Sequence, residues 1–251
     1  MALAKGRYEI GMAQDAGHVR EAQRLRWLCF VGARLGGAET AGQLDADEYD
    51  DRCWHVLIRD RASGQLVACF RLLTLASGAE IGDSYSARYY NLSRLYGFGG
   101  KMAEIGRFCI HPECADPDIL RLAWAALARH VDDQDIEMLL GCSSFMGTDT
   151  HGYEDAFAML RDRHLAPKRW LPRVKAPQVF RFARALRLKT PDPRAAMAGM
   201  PPLLRSYLAM GGWVSDHAVV DRQLDTLHVF TGLEIRAIPP ARAKLLRAVA
   251  A

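Results

Sequence analysis

Residues Met102 to Glu113 read MAEIGRFCIHPE, an apolar run that holds two charged side chains, Glu104 and Arg107. Burying either charge alone costs several kcal/mol, so a strand-like segment that keeps both has a reason to do so. A carboxylate fixed at one place can take a proton from a substrate. Beside a guanidinium it can equally be one half of a structural ion pair. Strand alternation puts Glu104 on a face with Met102, Gly106 and Phe108 and turns Arg107 to the other side. A bulge near Gly106 would bring the two charges together.

Arg71, within the Leu- and Phe-rich QLVACFRLL, raises the same question. Its expected partners are Asp47 and Asp50, spaced three residues apart in DEYDD. Such a cluster either orders the chain around it or holds a cationic amino acid. In the second case a carboxylate faces the side-chain ammonium and an arginine faces the carboxyl group. Arg26 and Phe30 lie one helical turn apart on one face, although Phe30 alone reads as core. Cys142-Ser143-Ser144 follows a buried run and admits a thiol nucleophile paired with His55, His111 or His151, a channel lining, or plain packing. His55 and His111 read as satisfied structural histidines.

These residues need a scaffold. RYEIGMA (7–13) reads as a strand, and Asp15 caps a helix with Val19, Ala22, Leu25, Leu28 and Val31 at helical spacing. CWHVLIRD and QLVACFRLL, joined by RASG, read as a β-hairpin. Residues 77–100 are irregular and aromatic. The strand with Glu104 follows, and Asp116-Pro117 then starts an amphipathic helix, DILRLAWAALARHV. IEMLLGCSSF reads as a buried strand and YEDAFAMLRDRHL as a helix. Strands near HAVVDRQLDTLHVF and a basic terminal helix close the chain. The order is β-α-β-β-β-α-β-α with a tail, an α/β (α+β) class.

Half of the 251 residues are hydrophobic and a quarter are charged, an ordinary globular composition. No run approaches the roughly 18 apolar residues of a membrane helix, and the N-terminus lacks an apolar secretory stretch, so a cytoplasmic protein is expected. Six scattered cysteines without a C-x-x-C read as reduced thiols rather than a zinc site. Charge is uneven. Residues 160–194 hold eleven Lys/Arg against Asp162 and Asp192, a net +9 that leaves −5 on the rest of a chain of net +4. Such a block suits an anionic partner. No nucleic-acid motif accompanies it.

The order of elements resembles the acetyltransferase-type (GNAT-like) acyltransferase fold. The motifs resemble one branch of it, the acyl-carrier-protein-dependent N-acyltransferases that form ornithine lipids. Their distant relatives, the acyl-homoserine-lactone synthases, share the central part of the likeness. The pieces that carry it are RLRWLCF (Arg24 to Phe30), DEYDDRCWH (Asp47 to His55), CFRLL (Cys69 to Leu73) and EIGRFCIHP (Glu104 to Pro112). Further along come GCSSFMG (Gly141 to Gly147), HLAP (His164 to Pro167) and PPLLRSYL (Pro201 to Leu208). The stretch VGARLGGAETAG after Phe30 fits loosely.

The resemblance implies a core over 1–160, a mixed central sheet flanked by helices, with 161–251 as a basic segment and C-terminal extension on the same domain. It implies transfer of a 3-hydroxyacyl chain from acyl carrier protein to the α-amine of L-ornithine, giving lyso-ornithine lipid. The catalytic pair would be Glu104, as general base, and Arg107. Arg26, Phe30, Asp47, Asp50, Arg71, Phe108, Cys109 and Ser143 would contact substrate, and the amides around Phe108 to Ile110 would form an oxyanion site. No metal or resident cofactor is expected, because the donor arrives on the carrier's 4'-phosphopantetheine. Where coenzyme-A-dependent members have a glycine-rich pyrophosphate cradle, this chain reads HPECADPDIL, which fits a carrier-borne donor. The +9 segment is then the expected dock for an acidic carrier protein. The terminal helix PPARAKLLRAVAA suits either docking on the domain or peripheral contact with the inner membrane. A lactone synthase, another amino-acid N-acyltransferase and a non-catalytic carrier- or lipid-binding module are the alternatives.

Overall fold

The computed structural model describes residues 2–32 and 42–250. Most of the loosely fitting stretch after Phe30 therefore lies outside the described residues. In chain order the first elements are β1 (Ala2–Lys5), β2 (Tyr8–Met12), α1 (Ala16–Phe30), β3 (Trp54–Asp60), β4 (Leu66–Leu75), β5 (Tyr90–Asn91) and β6 (Lys101–Ile110). Then follow α2 (Pro117–Gln134), β7 (Ile136–Met146), α3 (Glu154–Arg163), β8 (Arg173–Val174), β9 (Val179–Phe180) and α4 (Phe182–Ala185). The last are α5 (Pro193–Gly199), α6 (Pro202–Ala209), β10 (Trp213–Asp221), β11 (Thr226–Glu234) and α7 (Pro240–Ala250). Strands flanked by helices give the α+β class that the sequence predicts.

Two compact units interleave along the chain. The first runs to Thr74 and adds Glu104–Ile136 and the residues from Pro240. Its strands follow the order β1-β2-β3-β4-β6, with β1 to β4 an antiparallel meander. Asp15 caps α1 as expected, accepting the His18 amide. The buried side of α1, through Ala22 and Leu25, packs on Leu57, Cys69 and Cys109. Asp116 caps α2 by accepting the Asp118 amide, with Pro117 in the first turn. A second residue, Tyr8, donates its hydroxyl to the same carboxylate at 2.9 Å. The terminal helix α7 docks on α2, where Arg247 meets Asp132 through two hydrogen bonds of 2.8 Å.

The second unit comprises Leu75–Ala103 and Glu137–Pro239, so the expected boundary at 160/161 falls inside it. Its strands run β7-β11-β10-β9, all antiparallel. The irregular aromatic stretch forms three 3₁₀ turns around the short β5. Phe157 and Phe182 stack in its core at 5.1 Å. In the basic segment, Arg161 is spent on the carbonyls of Leu186 and Lys189, and Lys189 on Glu154 and Asp155. Arg181, Arg184, Arg187 and Arg194 are exposed and, among the described residues, unpaired with any acid.

Tyr90 organises a polar pocket inside this unit. Its hydroxyl donates to the His228 carbonyl at 2.6 Å and lies 3.2 Å from the His228 ring Nδ1. Burial pushes His228 down to about 4, and its Nε2 has no hydrogen-bond partner among the described residues. The imidazole is therefore held neutral. Unfolding exposes it to water, where it takes up a proton below its ordinary value near 6.5. The stabilisation is complete above that pH and declines as pH falls toward 4. We expect a loss of roughly 3 kcal/mol across this window from His228 alone. Urea unfolding at a series of pH values should show a shallower decline in His228→Gln; an unchanged slope would disprove the assignment.

Candidate active site

The first unit gathers six of the sequence-predicted residues, Arg26, Phe30, Asp47, Asp50, Arg71 and Arg107, into one place. Arg71, on β4, is 3% exposed. The sequence offers it Asp47 or Asp50 as a partner, and it meets both. Its Nη1 donates to Asp47 Oδ1 at 2.5 Å and Asp50 Oδ1 at 2.8 Å, and its Nη2 to Asp47 Oδ2 at 3.1 Å. Arg26, on α1, is wholly buried and grips Asp50 with both terminal nitrogens, at 2.8 and 3.0 Å. Its Nε reaches Asp45 Oδ2 at 2.9 Å. Arg107, on β6, donates to the same Asp45 oxygen at 2.9 Å and to Asp47 Oδ2 at 3.3 Å.

Three guanidinium groups thus interlock with three carboxylates, and neutral groups complete the shell. Gln23 donates to Asp50 at 2.9 Å, and His55 Nε2 lies 3.0 Å from the Asp50 carbonyl. Aromatic faces cover two of the cations: Tyr49 lies 5.9 Å from Arg71, and Phe30 lies 5.9 Å from Arg107. Helix α1 sets Arg26 one turn before Phe30, as the spacing predicts, and the 3₁₀ turn Asp50–Arg52 carries the acidic stretch into β3. Sequence reasoning misses Asp45. Its one signal is a place two residues before Asp47 in an acidic run, which does not separate a partner from a solvated charge.

Next to Gly106, Arg107 has a left-handed backbone, with φ +53°. A left-handed non-glycine residue costs about 1–2 kcal/mol, so something must hold it. The ion pairs from its side chain to Asp45 and Asp47 do so. Gly106 beside it leaves space. A side chain there would begin 4.0 Å from Arg71 Nε and within 4 Å of nothing else. That Nε–H is itself buried and has no hydrogen-bond partner among the described residues.

Glu104 is 4% exposed on the same strand. Its field reaches the Cys53 thiol, which stands at about 11, raised first by burial and then by the charge of Glu104. Phe108 stacks on Phe70 with centroids 5.5 Å apart. Cys109 turns its thiol inward, 3.6 Å from Cys69, so a contact from Cys109 to substrate falls to its backbone. Ser143 belongs to the second unit, where it accepts the Thr231 hydroxyl at 3.0 Å. Its neighbour Cys142 lies 3.4 Å from the Ser86 hydroxyl.

The charge cluster sets its own protonation. Burial by itself would raise the Asp50 carboxyl, but the hydrogen bonds and charge of Arg26 and then Arg71 hold it well below the usual range. Asp47 is likewise lowered: Arg71, then Arg107, outweigh its burial. Burial lowers His55, which stays neutral. Replacing Asp50 by Asn strips one charge from two buried arginines. We expect it to destabilise the fold by roughly 3–5 kcal/mol in urea unfolding. Asp51→Asn, one residue on and exposed, should move the midpoint hardly at all. Equal effects would show that the cluster does not hold the unit together.

Comparison with known proteins gives a family. Residues 25–125 match the acetyltransferase (GNAT) domain. The L-ornithine N(alpha)-acyltransferase of Rhodobacter capsulatus is 36% identical over 247 residues, covering 95% of this chain and 94% of that one. The enzyme of the same name from Brucella abortus is 28% identical, over 93% of this chain and 86% of its own. Among solved structures, the coenzyme-A-dependent acyl-homoserine lactone synthase BjaI superposes with a TM-score of 0.50 at 12% identity, covering 93% of this chain and 82% of that chain. That likeness speaks for the fold alone. On the 36% match, which spans nearly the whole of both chains, this chain belongs to the L-ornithine N(alpha)-acyltransferase family, acyltransferases built on a GNAT domain.

Proposed function

We propose that this enzyme acylates the α-amine of L-ornithine with a 3-hydroxyacyl chain carried on the 4'-phosphopantetheine of acyl carrier protein, giving lyso-ornithine lipid. The observation that carries the reading is the near full-length match to enzymes named for that acceptor.

The chemistry requires a base, because an α-ammonium has no lone pair. Glu104 takes its proton, directly or through water. The freed nitrogen attacks the thioester carbonyl, and the amides around Phe108 to Ile110 hold the oxyanion. The C–S bond then breaks, and the departing pantetheine thiolate takes up a proton. No covalent enzyme intermediate is needed. Arg71 supports acceptor binding: its unpartnered Nε–H faces the space left by Gly106, where an acceptor carboxylate oxygen would satisfy it. The interlocked arginines and aspartates hold residues 45–52 in place around that point.

Two observations support a carrier-borne donor over free coenzyme A. The N-terminus of α2, where a pyrophosphate would be cradled, already carries the carboxylates of Asp116 and Asp118. An acidic carrier also finds a matching face in the unpaired Arg181, Arg184 and Arg187. For the membrane, α7 is docked on α2, and no helix of the described residues is long and apolar enough to cross a bilayer.

The test is a transfer assay with purified 3-hydroxyacyl carrier thioester, the matching acyl coenzyme A, and a panel of amino acids, with products read by mass spectrometry. We expect acyl-ornithine from the carrier thioester. A homoserine lactone product, or preference for another amine, overturns the acceptor; faster turnover with acyl coenzyme A overturns the donor. Glu104→Gln should cost about 100- to 10,000-fold in kcat while the carrier still binds. Turnover near that of the unaltered enzyme would remove Glu104 from the base role.

A further inference from the structure

One face of the second unit's sheet carries buried polar atoms with no hydrogen-bond partner among the described residues. His228 lies on β11 directly opposite Ser144 of β7, and Phe230 lies opposite Cys142. Facing residues of an antiparallel pair turn to the same side. These four therefore share a face with Tyr90, whose ring lies 5.7 Å from both His228 and Phe230. The phenol decides where the imidazole keeps its proton. Its single hydrogen goes to the His228 carbonyl at 2.6 Å, so Nδ1, 3.2 Å away, is the donor to the phenol oxygen. In a neutral ring Nε2 is then a bare acceptor, buried and unpartnered. Thr226, two residues earlier on the same face, also leaves its hydroxyl oxygen without a partner. Buried acceptors are seldom left so, and this one calls for a ligand that brings an O–H or N–H.

We propose that His228 reads the hydroxyl of the donor's acyl chain, accepting its hydrogen bond at Nε2, and so selects hydroxylated over plain acyl groups. The inference rests on the 3-hydroxyacyl reading of the donor. The strip beside His228 is open: on β7, Cys142 is half-buried, Ser144 is exposed and Met146 is 65% exposed, all on the face that His228 shares. Met146, Phe230 and Tyr89, whose ring meets the imidazole edge-on at 5.0 Å, supply apolar surface around the nitrogen. Such a wall suits a hydrocarbon chain and offers a competing water few partners. A chain without the hydroxyl would leave Nε2 unanswered behind hydrocarbon, which is how a polar group in an apolar site rejects the wrong substrate. Tyr90 is a positioning residue, setting the tautomer that leaves Nε2 bare. His217 on β10 also has an unpartnered Nε2, with its Nδ1 turned to Asp216 at 2.6 Å. It is wholly buried and one strand further from β7, which makes His228 the nitrogen that a chain on the open strip meets.

The experiment gives the full-length enzyme ornithine and two carrier thioesters of equal chain length, one 3-hydroxylated and one unsubstituted, and reads the ratio of their kcat/KM values. We expect the unaltered enzyme to favour the hydroxylated chain by roughly 10- to 100-fold. His228→Asn keeps an N–H for Tyr90 near the place of Nδ1 and removes the acceptor at Nε2, so the preference should shrink to about threefold or less. His228→Gln sets an amide oxygen near the place of Nε2 and should keep most of it. Partial misfolding lowers both rates alike and leaves the ratio readable, and His228→Leu is the second variant should the asparagine form be inactive. Equal treatment of the two thioesters by the unaltered enzyme would overturn the proposal. So would a preference that survives in either His228→Asn or His228→Leu, or one lost equally in His228→Gln. No acyl-ornithine from either thioester with the unaltered enzyme would defeat the donor or acceptor reading itself, and this inference with it.

Discussion

Bringing Arg26, Arg71 and Arg107 out of water together would be ruinous to a fold unless each met an opposite charge, and the same holds for Asp45, Asp47 and Asp50. Each ion gives up several kcal/mol of hydration, and the return comes only from close, shared, well-aimed contacts. The pieces lie on α1, on β4, on β6 and on the chain leading into β3. One electrostatic requirement thereby fixes four segments that are distant in sequence. It also explains why residues 45–52, with little apolar content of their own, have a defined path. The cluster does not add much net stability over a packed apolar core. Its contribution is to define an arrangement, since a shift of any one segment would leave a charge unanswered.

The same requirement explains the strained backbone at Arg107. A glycine would adopt φ +53° without cost, yet the position carries the long side chain that reaches Asp45 and Asp47. Left-handed geometry departs from the regular alternation of β6, and Gly106 just before it keeps the approach clear. The two consecutive residues are complementary, with Gly106 supplying room and Arg107 supplying charge. Glu104, two residues before Gly106, acts on the Cys53 thiol together with the charges of Arg71, Asp47 and Asp50.

Much of this was legible in the sequence, for identifiable reasons. Asp15 and Asp116-Pro117 announced their helices because capping is a local interaction, complete within a few residues. Arg71 pointed to Asp47 and Asp50 because an isolated guanidinium in QLVACFRLL is too costly to stand alone. Arg26 was found by resemblance, although nothing local shows that it is wholly buried. Other features were not legible. Asp45 looks like any solvated acid until Arg26 and Arg107 are placed beside it. β1, four residues long, carries no periodicity to read and is defined by its pairing with β2. The interleaving of the two units escaped for the same reason, since it follows from contacts between segments far apart. The setting of His228 escaped too: Tyr90 is 138 residues away along the chain, and only the fold brings the two together.

Interleaving has a consequence for how the enzyme is made. α7 belongs to the first unit and covers part of α2, yet the ribosome produces it only after the whole of the second unit. Until then the earlier-made helix shows water a surface meant for a partner. A nascent chain in this condition invites chaperone attention, and a premature stop late in the message would damage the half of the protein made first.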